Sequence, residues 1–89
     1  HFQMFSGEQT NVKLRFHRSL TNVVIDRFGK DTMLIPDGEE HFVFTVQAAV
    51  SPMFLSWVVG FGAKAKILFP QVVAEECKKL CLEALNQYN

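Results

Sequence analysis

Two stretches of this chain alternate apolar and polar residues so strictly that they dictate a one-sided sheet. In the first, Val12, Leu14 and Phe16 interleave with Lys13, Arg15 and His17. In the second, Phe42, Phe44, Val46 and Ala48 interleave with His41, Val43, Thr45 and Gln47. Successive side chains of a strand point to opposite faces, so each stretch offers one apolar face and one largely polar one. The apolar faces must be covered by other elements of the same chain, and the polar faces are then left open.

The covering elements are helices. Ser19 can cap a helix from about Leu20 to Phe28, where Leu20, Val23, Val24 and Phe28 recur at helical spacing and Gly29 follows. Ser51-Pro52 starts a second helix over Met53 to Phe61, closed by Gly62, because Pro at the first helical position loses no needed N–H. Thr32 to Ile35 reads as a strand, Pro36-Asp37-Gly38-Glu39 as a turn, and Glu40 to Ala49 as the returning strand. Ala65 to Phe69 reads as a further strand, broken by Pro70. Gln71 to Tyr88 then forms a third helix, with Val73, Cys77, Leu80, Cys81, Ala84 and Tyr88 on one stripe.

The resulting order is strand, helix, strand, strand, helix, strand, helix. It predicts an α+β fold, a ferredoxin-like split βαβ sandwich (βαββαβ) with an added C-terminal helix. That helix could cover part of the open sheet face, extend a sheet edge or pack on a partner chain. Eighty-nine residues allow one domain, expected over residues 12–89, with residues 1–11 as a lead-in from a missing upstream domain. The chain begins with His1, as a fragment of a longer protein would.

Few residues point to chemistry. His1, His17 and His41 have no carboxylate or nucleophile at a spacing that suggests a dyad. Cys77 and Cys81 would supply two metal ligands where a zinc site needs about four, and on an apolar helix stripe they read as small core residues. No metal and no cofactor is expected. A pair four residues apart on one helix also forms no disulfide framework, which implies a reducing compartment. With no apolar run long enough to span a bilayer and no signal-peptide pattern, the expected location is cytoplasmic and no membrane partner is expected. Gly60-Phe61-Gly62 begins like a dinucleotide fingerprint, but it ends a helix where the fingerprint ends a strand. Arg18-Ser19, with no Gly-rich loop, is thin support for a small phosphate hydrolase, so no enzyme is expected and no catalytic residue is nominated.

Two surfaces remain. The open face gathers Lys13, Arg15, His17, His41 and Lys66, a set that suits an anionic small ligand, a single-stranded nucleic-acid backbone, a polar protein contact, or plain solvent. Base stacking is not provided for, because Phe42 and Phe44 face inward. Nine basic residues balance nine acidic ones, so no strong attraction to duplex DNA is implied. The second surface is apolar: Leu55 and Val59 flank the second helix, and Leu82 and Leu85 lie outside the stripe of the third. These surplus residues either meet within the chain or form a subunit or domain interface.

The series Val12-Lys-Leu-Arg-Phe16, Pro36-Asp-Gly38, Trp57-Val-Val-Gly-Phe-Gly62 and Ala65-Lys-Ile-Leu-Phe-Pro70, with a closing amphipathic helix ending at Tyr88, resembles the WCX domain. This is the C-terminal extension of bacterial WYL-domain transcriptional regulators, and the likeness spans about Val12 to Tyr88. It implies upstream WYL and helix-turn-helix domains in the same protein, with DNA read only through the missing part. It also implies a homodimer in the full-length protein and an effector of the nucleotide or single-stranded nucleic-acid class, with this domain assisting sensing and dimer or interdomain contacts. No catalytic residue belongs to the family pattern. Trp57 and Phe61 are implied as core anchors, Gly62 as the helix end and Pro70 as the strand-to-helix break.

Overall fold

A computed structural model describes residues 8–88. It is an α+β structure with a four-stranded antiparallel sheet and three helices. The elements run β1 (Gln9–His17), α1 (Thr21–Phe28), β2 (Ile35–Asp37), β3 (His41–Ala49), α2 (Pro52–Val59), β4 (Ala65–Phe69) and α3 (Gln71–Asn86). The strands lie in the order β2-β3-β1-β4, so the two alternating stretches pair at the centre and β2 and β4 form the edges. Val12, Leu14 and Phe16 of β1 are fully buried, and Phe42, Phe44, Val46 and Ala48 of β3 are buried beside them, as the alternation requires.

Phe16 is the hub of the core. Its ring centroid lies 5.0 Å from that of Phe44, edge on, and 5.7 and 5.6 Å from those of Trp57 and Phe61. Offset and edge-to-face aromatic contacts at such spacings add to the stabilisation from buried area. Trp57 and Phe61 anchor the rim of this core and are only half-buried, and the Arg27 guanidinium lies over the Trp57 ring at 4.4 Å.

Several expected boundaries move. β1 begins at Gln9, so the boundary drawn between a lead-in and a domain at residue 12 falls inside a strand. Ser19 is not the helix cap: a 3-10 turn over Arg18–Leu20 precedes α1, capped by His17, whose Nδ1 accepts from the Ser19 N–H at 3.1 Å. Residues 32–34 are not strand. β2 is the three residues that pair with Val43, Phe42 and His41, and Pro36 is tolerated there because the strand is an edge. The turn that follows places Gly38 at φ 73°, a conformation that favours glycine. α2 starts as expected, with the Ser51 hydroxyl accepting from the Phe54 N–H at 3.2 Å, but it ends at Val59 with Gly60 as its cap. Gly62 instead opens a short 3-10 turn into β4. Pro70 does separate β4 from α3.

α3 packs beside β4 and α2 and leaves the polar face of the central strands open. Val73 is fully buried there, and Ala74, Cys77 and Leu80 are half-buried against the core. Beyond Leu80 the helix loses its cover. Cys81 through Tyr88 are all exposed, so the stripe expected to run from Val73 to Tyr88 is a core stripe only in its first half. Among the described residues no helix is long and apolar enough to cross a membrane.

Candidate functional site

The antiparallel register brings the five nominated polar residues onto one face. His17 lies opposite His41, Arg15 opposite Val43 on one side and Lys66 on the other, and Lys13 opposite Thr45. Arg15 and Lys66 are like charges in direct cross-strand register, an arrangement that is unfavourable unless a counter-charge intervenes. Asp37 supplies one: its Oδ2 lies 3.7 Å from Arg15 Nε. Both groups are substantially exposed, so this pair is worth at most about 1 kcal/mol.

His17 is held from both ends of its ring. Its Nδ1 accepts from the Ser19 N–H and lies 2.8 Å from the Ser19 hydroxyl, while Nε2 lies 3.2 Å from Glu40 Oε1. An Nδ1 that accepts a backbone N–H leaves the proton on Nε2, which then donates to Glu40. The His41 ring meets that of His17 edge on, with centroids 5.6 Å apart. Sequence spacing did not reveal this Ser19-His17-Glu40 set, because Glu40 arrives from 23 residues away through the β1–β3 register, extended by the Arg18 N–H donating to the Glu40 carbonyl at 2.8 Å. The Nδ1 lone pair is occupied by the turn it caps. The set therefore works as a helix-start device and a strand-end clamp.

Asp37 and Glu40 thus occupy two of the cationic and imidazole groups nominated for a ligand. Lys13 and Lys66 have no ion-pair partner among the described residues. The face is a mixed one, with two acids interleaved among the bases, and Val43 and Leu68 half-buried between them.

The nominated apolar residues separate into two groups. Leu55 must be withdrawn as an interface residue: it is fully buried, because α2 is covered by the sheet on one side and by α3 on the other. Val59 is 36% exposed and borders a cavity between α2, β4 and α3. Leu82 and Leu85 remain 50% and 56% exposed, and Tyr88, in the turn just past the end of α3, is 89% exposed. Nothing in the described chain covers these three.

Cys77 and Cys81 both border the same cavity as Val59. Burial, reinforced by the neighbouring Cys81 thiol, pushes the Cys77 thiol up to about 11, so it stays protonated at neutral pH and is a poor ligand or nucleophile. Among the described residues no third metal-ligating group is gathered with them. His1 and the rest of the expected lead-in up to residue 7 lie outside the described residues.

No curated protein matches the chain. The family model of the WCX domain matches residues 8–85, from the residue before β1 to the next-to-last residue of α3, and the chain belongs to the WCX domain family.

Proposed function

We propose that this chain is a non-catalytic regulatory and interaction domain of a bacterial WYL-type transcriptional regulator, acting in the cytoplasm behind WYL and helix-turn-helix domains. In this reading it assists effector sensing, reads no DNA itself, and contributes dimer contacts through the exposed half of α3. The observation that carries the reading is the run Leu82, Leu85 and Tyr88, apolar or aromatic side chains left exposed at and just past the end of a helix whose first half is packed. A soluble monomer gains nothing from such a run, whereas a second copy would remove it from water. The element succession and the strand order β2-β3-β1-β4 support classing the fold as the ferredoxin-like split βαβ sandwich with an added helix.

Sedimentation across a range of concentrations tests the reading. The chain should associate, and Leu82→Glu with Leu85→Glu should shift it toward monomer without loss of helix content. A chain that stays monomeric at every concentration would defeat the dimer claim. A second reading, a binding module for a small anion or a single-stranded nucleic acid on the open face, draws support from Lys13 and Lys66, which have no ion-pair partner among the described residues. Titration with labelled oligonucleotides and nucleotides at about 50 mM salt, low enough for phosphate contacts to be only weakly screened, decides it. Binding that is lost in Lys13→Ala with Lys66→Ala favours this reading, and no binding removes it.

A further inference from the structure

The second half of the molecule forms an open cavity that neither reading above treats as a site, although Lys66 borders both it and the open sheet face. It measures about 410 Å³ and lies where α2, β4 and α3 converge. Val58 and Val59 of α2, Ala65 and Ile67 of β4, and Ala74 and Cys77 of α3 form most of its wall. Its volume falls in the range of about 300 to 1,000 Å³ typical of small-molecule sites, which are likewise mostly apolar with a few polar groups that orient the ligand.

The polar groups here are of one sign. Lys66 and Lys78 border the cavity and no Asp or Glu does, in a chain whose charges balance overall. Neither lysine has an ion-pair partner among the described residues, and both are exposed, so each ammonium can stay in water while its stem lies along the apolar wall. The adjoining groove between α2 and α3 is bordered by Glu76, Lys79 and Glu83 and carries no such bias. Burial pushes the Cys77 thiol up to about 11 and so suppresses its ionisation, which agrees with a poorly solvated wall.

We infer that this cavity binds an anionic amphiphile, a molecule with an aliphatic body of roughly medium-chain length and one carboxylate, its tail between Val58, Ile67 and Ala74 and its head group between Lys66 and Lys78. Of the open sheet face this site takes only Lys66, and the exposed end of α3 is not needed for it.

Decanoate, decanol and decyltrimethylammonium, each titrated into the chain below its aggregation concentration, form the test. Binding is followed by NMR shifts of the Ala65 and Ala74 methyl groups and by the rate at which the exposed Cys81 thiol, at the cavity border, reacts with an aromatic disulfide reagent. Decanoate should bind one to one, move both methyl signals and slow Cys81 labelling. Its affinity should exceed that of octanoate, by about fourfold per methylene buried. The variant Lys66→Glu with Lys78→Glu, both at exposed positions that should leave folding intact, should weaken decanoate by about tenfold while sparing decanol. Equal binding of the cationic and anionic amphiphiles, an unchanged affinity in the lysine variant, or shifts confined to the open sheet face would each overturn the assignment.

Discussion

Phe16→Ala should come close to unfolding this domain. The side chain is fully buried and its ring has four aromatic neighbours, Phe42 and Phe44 from β3, Trp57 from α2 and Phe61 from the turn that follows α2. Truncating a buried Phe to Ala costs about 3 to 5 kcal/mol through lost transfer energy and the cavity left behind. A position that links the sheet to α2 has little room to collapse, which places it at the upper end. Total stability for a chain of this length is about 4 to 13 kcal/mol. The substitution therefore removes a third of it at least, and all of it if the domain sits at the lower end. Urea unfolding followed by far-UV circular dichroism and by Trp57 fluorescence measures the loss, since the indole lies 5.7 Å from the Phe16 ring. Phe16→Leu, which keeps most of the volume, should lose less than about half as much, and Lys13→Ala on the open face should stay within about 0.5 kcal/mol of the parent. A loss under about 1 kcal/mol for Phe16→Ala would refute the hub.

Gly38→Ala should destabilise by about 1 to 2 kcal/mol, because the position has φ 73° with open space around it, so the backbone and not a clash sets the cost; Gly38→Asn should recover much of it in the same urea assay. Stability should also fall with rising pH in a defined window. The Cys77 thiol ionises at about 11 when folded and at its ordinary value of 9.0 when unfolded, so between those values the unfolded state releases a proton that the folded state retains. Its contribution is present in full below pH about 9 and is lost by about 11; in Cys77→Ala this part of the decline should vanish from thermal melts taken across that range.

The faces of the sheet were legible because strand periodicity is local and unambiguous. Val12, Leu14 and Phe16 could not be buried without exposing Lys13, Arg15 and His17, and the register then brought His41 and Lys66 beside them. Ser51-Pro52 likewise announced α2 through the chemistry of its own first turn. What escaped the sequence depends on partners. β2 is only as long as its pairing with β3, so no local pattern marks Ile35 as its start. Both sides of α2 are apolar because two different elements cover them, which made Leu55 read as surplus when α3 buries it. A helical stripe says which side of α3 is apolar and not whether anything lies against it, so the loss of cover after Leu80 was invisible. The cavity joins residues of three elements, and Glu40 reaches His17 across 23 residues. Neither juxtaposition has a spacing that a reader of the chain could recognise.

The exposed half of α3 is the part of the molecule on which the interaction reading stands, and it carries its own reporter. Cys81 is exposed at the start of that half, whereas the Cys77 thiol is held protonated, so a nitroxide reagent at neutral pH should label Cys81 selectively. Pulsed electron spin resonance then measures whether two labels come together. If two copies associate through Leu82, Leu85 and Tyr88, helices packed at about 8 to 10 Å between axes put the labels within roughly 25 Å of each other. That distance should disappear in Leu82→Glu with Leu85→Glu. A dimer whose labels lie much farther apart, or a short distance that survives both substitutions, would contradict the account.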